Sequence, residues 1–313
     1  GDVYKRQVII FFSSLIAATY HLGVIQIIIK NIAKVMEKTM KTSGAETLSI
    51  SANIFVGQTE APILIRPYIS KMTNSELMTV MVGGFSTVAG SVMALYVTWL
   101  NNIPEIAGHL LAASVMSAPA ALMVAKIIYP ETKSYQIISS NSINLKSQDN
   151  NLVDAIGRGA TDGLKLAANV AAMLIAFISL VAMINFILGL LGTSMQEMLG
   201  LLFKPLAWTM GIPWADAKIV GTLMGEKIVL TELIAFRDLS DYVSNNTISE
   251  RSVIIASYAL CGFANFGSIG IQLGGIGSMA PKRKKDLSKL VFKAMLGGAI
   301  ASWLTASIVG ILI

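Results

Sequence analysis

Gly57-Gln58-Thr59-Glu60-Ala61-Pro62 interrupts a segment, Glu46 to Ile69, that is otherwise mostly apolar. A straight spanning helix would carry Gln, Thr and Glu to the bilayer centre and break there at Pro62. An acid at that depth costs about 2.5–3.5 kcal/mol on insertion scales. A re-entrant hairpin avoids the cost. Each arm of about 12 residues, rising ~1.5 Å per residue, reaches the midplane of a ~30 Å hydrocarbon core. The polar tip then lies in protein or lines a cavity, where irregular backbone is tolerated.

The rest of the chain has the composition of a membrane protein. Of its 313 residues 54% are hydrophobic and 13% charged, against about 25% charged in a soluble domain. Apolar stretches longer than ~18 residues recur. The net charge of +6 is concentrated in short loops beside apolar runs, as orientation signals are, which argues against nucleic-acid binding. The one cysteine, Cys261, excludes a disulfide framework. The chain lacks an initiator Met and enters a span almost at once; it reads as the C-terminal part of a longer protein, with Gly1 to Gln7 a foreign or truncated edge.

Val8 to Ile29 is expected to be the first span. Lys30 to Lys41 follows as a basic amphipathic surface helix, whose lysines mark the cytoplasmic side. Thr79 to Leu100 is a span interrupted by Gly83, Gly84 and Gly90, and Asn101 to Glu105, without Lys or Arg, is external. Ala107 to Tyr129 returns inward. Pro130 to Arg158, with Lys133, Lys146 and Arg158, is read as a cytoplasmic loop. Ala160 to Leu191 is a long span, strongly tilted. Gly192 to Lys218, with Trp208 and Trp214, is interfacial. Ile219 to Asp238 again places polar residues inside a short apolar stretch: Gly225-Glu226-Lys227 and Thr231-Glu232. Val253 to Met279 is a Gly-rich span containing Asn265. Pro281 to Lys285 is a basic cytoplasmic cluster, and Leu287 to Ile313 is the last span. Lys204, Lys218, Arg237 and Arg251 are left outside as exceptions.

Gly84-Phe85-Ser86-Thr87-Val88-Ala89-Gly90-Ser91 and Gly262-Phe263-Ala264-Asn265-Phe266-Gly267-Ser268 echo each other. Each follows a hairpin bearing a glutamate, Glu60 or Glu232. The charge pattern opens the first hairpin to the cytoplasm and the second to the outside. Hairpin plus broken span, repeated in opposite orientations, is the layout of secondary transporters with a midplane site. The fold class expected is all-α integral membrane, with inverted repeats, two re-entrant helical hairpins and broken transmembrane helices.

Glu60 and Glu232 could share one cavity with Gln58, Thr59 and Asn265. Carboxylates accept hydroxyl hydrogen bonds, and amides both donate and accept, which suits a neutral, hydroxyl- and amide-rich solute. Lys227 near Glu232, or Arg66 near Glu60, would instead make structural ion pairs. A monovalent cation needs several oxygens, which unwound backbone near Asn53, Val56, Thr87 and Val88 could supply. No Gly-Lys-Ser/Thr phosphate loop is present, and Gly274-Gly275-Ile276-Gly277 ends a span rather than following a strand. An acid/base enzyme using the two glutamates would lack a metal cluster and a nucleophile; a channel would conduct without saturating. His21 and His109 read as packing or interfacial residues.

Four blocks resemble the concentrative nucleoside transporters: Ser51 to Pro62, Gly83 to Ser91, Ser114-Val115-Met116-Ser117-Ala118-Pro119-Ala120, and Leu260-Cys261-Gly262-Phe263-Ala264-Asn265-Phe266. The resemblance runs from about Val8 to the end, with the family's first spans missing. It implies a sodium-driven symporter importing nucleosides by an elevator-type motion, multi-pass in the cell (inner) membrane and surrounded by lipid. It also implies a homotrimer that binds no nucleic acid. Proton coupling is the alternative, though Gln58 to Pro62 resembles the sodium-coupled members more. By position, Gly57, Gln58, Thr59, Glu60 and Val92 would face the nucleobase. Glu232, Phe263, Asn265 and Ser268 would hold the ribose and frame the pocket. Asn53, Val56, Thr87 and Val88 would bind sodium. The implied organisation is a truncated region with one scaffold span at 1–29 and a first repeat at 30–130. A cytoplasmic loop with a long tilted scaffold span follows at 131–192, and a second repeat at 193–313. Two positions depart from the family pattern: Thr231 stands where Asn is frequent, and Gly267 where serine is common.

Overall fold

The computed structural model describes residues 2–132, 143 and 149–313, and every regular element among them is helical. Lys133 and Lys146, two of the charges behind the expected cytoplasmic loop, lie outside the described residues.

The first span is not the straight Val8–Ile29 helix expected. Helix α1 (Asp2–His21) stops before Gly23, and α2 (Val24–Met40) leaves at 74° to it. The apolar run passes through the bend unbroken, so hydropathy hides it. The cause is Gly23, whose φ of +85° is the left-handed region that glycine enters without steric cost. Beyond it α2 buries Ile25, Ile29, Ala33 and Met36 on one face, the spacing of an amphipathic helix.

The first hairpin follows. Its descending arm α3 (Gly44–Asn53) starts at a capping box: the Ser43 hydroxyl accepts from the Glu46 amide, and the Glu46 carboxylate accepts from the Ser43 amide. Glu46 also pairs with Lys126 at 2.8 Å. After an irregular tip, Ile54 to Glu60, two single turns ascend, α4 (Ala61–Leu64) and α5 (Arg66–Ile69), with Pro62 and Pro67 in their first turns. The following span is split. Helix α6 (Asn74–Ser86) ends at Thr87 in extended backbone, and α7 (Gly90–Trp99) resumes three residues later. Helix α8 (Ile106–Ile128) returns.

Helix α9 (Leu152–Gly189) is 38 residues long, about 57 Å at ~1.5 Å per residue. It begins well before the expected Ala160, because Asn151 caps it by accepting from the Asp154 amide at 2.9 Å, and Arg158 pairs with Asp162 one turn on. The polar stretch around Arg158 is helix, not loop. Gly159 and Gly163 of α9 meet Ser13 and Ile10 of α1 with no room for a Cβ, the small-residue packing of membrane helices.

Helix α10 (Met195–Thr209) lies on the second hairpin, with Gly200 against Thr222 and Gly221 against the Lys204 backbone. That hairpin is α11 (Ala217–Val229) and α12 (Glu232–Ser244), joined through Leu230 and Thr231. A second split span follows, α13 (Glu250–Leu260) and α14 (Phe266–Met279), then a 3-10 turn and α15 (Lys284–Leu312). The order hairpin, split helix, span thus occurs twice. By length and composition Asn74–Trp99, Ile106–Ile128 and Pro281–Leu312 can each cross a membrane, and α1 with α2 can form a fourth, bent span.

Three of the four basic exceptions have local partners. Lys204 sits 3.9 Å over the Trp214 ring. Lys218 is 4.0 Å from Glu197. Arg251 donates to the carbonyls of Gly211, Gly310 and Ile313.

Candidate functional site

The two splits touch. Gly262 lies in the α13–α14 break at φ +126°, and a Cβ there would lie 2.8 Å from the Phe85 carbonyl oxygen at the end of α6. Only glycine fits, on both conformational and steric grounds. Within this crossing the polar residues of both hairpins assemble.

Asn265 caps α14: its Oδ1 accepts from the Ser268 amide at 2.8 Å. That leaves Nδ2 aimed outward, and it donates to Glu232 Oε2 at 2.8 Å. Tyr96 donates from its hydroxyl to the other oxygen, Oε1, at 3.3 Å, and its ring stacks on Phe236 at 4.0 Å. Glu232 itself opens α12, where Thr231 caps the helix by accepting from the Ile234 amide; threonine thus performs this cap where the family pattern often has Asn. At Gly267 a Cβ would meet only Asn265 Oδ1, at 3.3 Å.

From the first hairpin, Gln58 donates to Ser268 Oγ at 3.1 Å. Its own carbonyl oxygen accepts from Gln272 at 3.2 Å, and Gln272 also donates to the Met81 carbonyl at 3.1 Å. Gly84 leaves the space in which Gln58 and Gln272 meet. Glu60 accepts from the Gly57 amide at 3.0 Å and is exposed at the tip.

These groups surround a cavity of about 960 Å³, at the upper end of the ~300–1,000 Å³ of ligand pockets. Val56, Gly57, Gln58, Thr59, Glu60, Val92, Glu232, Phe263, Asn265 and Ser268 all line it. Its far wall comes from α1 (Ser13, Ile16, Tyr20) and the start of α9 (Asp154, Arg158, Asp162), with Asp149. Asp149 holds Arg158 through two bonds, of 2.6 and 2.9 Å. The cavity therefore offers carboxylate and amide groups on one side and a charged rim on the other.

Asn53, Thr87 and Val88 do not line the cavity. They lie behind it, buried where α3 meets the α6–α7 break. Both polar atoms of the Asn53 side chain are without a partner among the described residues. An unsatisfied buried polar group costs about 1–3 kcal/mol, so this unpaired amide stands out. Thr87 donates to the Gly83 carbonyl at 2.9 Å, which leaves its hydroxyl lone pairs available.

Neither expected alternative ion pair forms. Lys227 donates to the Ala259 and Cys261 carbonyls, and Arg66 is within ion-pair distance of no acid among the described residues. Tyr96 and Gln272 are site residues that the sequence did not single out. Each is one polar group in an apolar helical run, a pattern that ordinary packing also produces. No group of three or more His, Cys, Asp or Glu side chains able to hold a metal occurs among the described residues.

The family described as "Na+ dependent nucleoside transporter C-terminus" matches residues 109–310, and "Nucleoside recognition" matches residues 7–103. The chain belongs to the concentrative nucleoside transporter family. It is similar to sodium/nucleoside cotransporter 1 of Rattus norvegicus, at 43% identity over 99% of this chain and 51% of the relative. The Homo sapiens protein of that name is 42% identical, over 99% and 51%. The uncharacterized transporter YutK of Bacillus subtilis is 43% identical, over 98% and 76%. The chain thus spans about half the length of its rat and human relatives. Its fold resembles that of CNTnw in an inward-facing substrate-bound state, with a TM-score of 0.89 at 44% identity, over 97% of this chain and 73% of that one. A variant of CNTnw in an intermediate state gives 0.91 at 43%, over 98% and 74%. The matched families and these relatives are transporters, not enzymes, and the chain is a multi-pass membrane protein with re-entrant hairpins and broken helices.

Proposed function

We propose that this chain forms the substrate- and ion-binding part of a symporter that imports nucleosides on an inward sodium gradient. The observation that carries the reading is the convergence of Glu232, Asn265, Gln58 and Ser268, from both repeats, on one cavity. Glu232 is the acceptor for ribose hydroxyls, with Asn265 orienting it and Phe263 framing the sugar. Gly57, Gln58, Thr59, Glu60 and Val92 face the base. Gln and Glu side chains supply the mixed donors and acceptors a nucleobase edge requires.

Sodium is the co-substrate. Asn53 and Thr87 offer side-chain oxygens, and Asn53, Val56 and Val88 offer carbonyls, at the junction of hairpin and broken helix. The otherwise unpartnered Asn53 amide supports this assignment. In this reading the hairpins and split helices move as one body past a scaffold of α1 and α9, carrying the site from one side of the membrane to the other. The names of the relatives support both the nucleoside and the sodium, and the homotrimer is proposed on the family alone.

The test is uptake of labelled uridine by the full-length protein in proteoliposomes, with and without an inward sodium gradient. Gradient-stimulated uptake is expected. No stimulated uptake of any nucleoside overturns the reading, and stimulation by a proton gradient instead reassigns the ion.

A further inference from the structure

Lys227 is buried completely, on the arm of the second hairpin that precedes Glu232. Its ammonium bonds to two backbone carbonyls, Ala259 at 2.9 Å and Cys261 at 3.4 Å. Helix α13 ends at Leu260, so these oxygens belong to a helix end whose last carbonyls lack intrahelical partners and carry partial negative charge. Ser302 of α15 donates to the same Cys261 carbonyl at 2.5 Å. Two donors from two elements therefore fix the first residue of the α13–α14 break. That break, Cys261 to Asn265, holds Phe263 and Asn265.

Lys227 and Glu232 lie five residues apart on the two arms of the same hairpin, yet no direct bond joins them: the ammonium donates to the Ala259 and Cys261 carbonyls. The oxygens of Glu232 bond instead to Tyr96 and Asn265. A buried cation usually takes a carboxylate as direct partner. Here it is held one step away, so its charge balances Glu232 while the carboxylate keeps its remaining lone pairs for a ligand.

We propose that Lys227 is a positioning residue for the ribose half of the site: it pins the Cys261 carbonyl, and with it Phe263 and Asn265, and balances the charge of Glu232 without occupying its oxygens. This rests on the nucleoside reading above. Loss of the charge then damages recognition of sugar hydroxyls selectively, not transport in general.

The experiment measures initial uptake of uridine and 3′-deoxyuridine by the full-length protein in proteoliposomes, for wild type, K227M, K227Q and K227R. Monodispersity in detergent confirms that each variant folds. The two uncharged variants are expected to raise the uridine KM about tenfold, the effect of one weakened charge-assisted hydrogen bond. The KM for 3′-deoxyuridine changes much less, so the preference for uridine collapses. K227R, which keeps the charge, retains that preference. A folded K227M or K227Q with an unchanged preference overturns the proposal and leaves Lys227 a structural cap. If neither uncharged variant folds, K227R decides: a retained preference supports the proposal and a lost one overturns it. Wild-type protein that takes up neither compound overturns the nucleoside reading instead.

Discussion

Glu232 is the residue on which most of the site depends, and its surroundings say what its loss does. Asn265 and Tyr96 each donate to one of its oxygens, so Glu232→Gln removes the negative charge and turns one of the two acceptor atoms into a donor. Hydrogen bonds to charged groups contribute about 1.5–3 kcal/mol. We expect uridine uptake to fall about tenfold or more; unchanged uptake would make Glu232 structural. Asp216, at the start of the second hairpin, carries a different expectation. Burial pushes its carboxyl up, but bonds from the Ser249 hydroxyl, the Ser252 hydroxyl and the Ser249 amide outweigh burial and hold it below the usual 3.8. A carboxyl depressed on folding adds stability above its unfolded value, and that stability is lost as pH falls through the folded value. Wild-type thermal stability should therefore drop on acidification below about pH 4 more steeply than that of D216N, whereas the two profiles run parallel above it. Parallel profiles throughout would remove Asp216 from the account. At this scale the sequence was readable where polar residues cluster, as at Gln58-Thr59-Glu60. It was unreadable for Tyr96 and Gln272, which stand alone in apolar helices and gain meaning only from partners 136 and 214 residues away.

The hairpins and split helices were legible because they violate a rule. A membrane helix avoids mid-span acids, amides and prolines, and both Glu46 to Ile69 and Ile219 to Asp238 break it. The bend after α1 breaks no rule of hydropathy, since Leu22 and Val24 on either side of Gly23 are as apolar as their neighbours. The start of α9 was missed for the opposite reason: helix stabilised by an Asn cap and charged pairs looks like loop when only apolarity is read. Gly262 gives a test at this scale. Alanine there must adopt φ +126° and meet the Phe85 carbonyl at 2.8 Å. Backbone strain of this kind costs about 1–3 kcal/mol, before any displacement of α6. Gly262→Ala is expected to lower the melting temperature in detergent clearly, and an unaltered melting curve would show that the two breaks are not in contact.

For the whole molecule, the proposed reading puts the ion site and the nucleoside site back to back across the first hairpin, with Asn53 behind the tip and Gln58 at it. Coupling between two such sites is reciprocal: sodium must raise uridine affinity by the same factor by which uridine raises sodium affinity. Isothermal binding to the full-length protein checks this, with choline replacing sodium as the control. Equal uridine affinity in the two salts would separate the sites energetically and end the symport reading. The repeated order of elements was visible in the sequence, through paired Gly-Phe motifs and paired glutamates. The cavity's far wall was not, because α1 and α9 meet it through residues without a motif.

The contact between the two breaks has a mechanical consequence. Phe85, Ser86 and Gly262 touch backbone to backbone, and Gly298 of α15 closes on Phe85 from another side. Side chains can swing, but main chain pressed on main chain has little give. The two repeats therefore meet in a stiff joint, and in the elevator reading proposed above they travel as one body rather than as a pair of jaws. On that reading a cross-link placed within this joint is expected to leave uptake intact, whereas one tying it to α1, at the close approach of Gly90 to Ile16, is expected to stop it as a pin stops a piston.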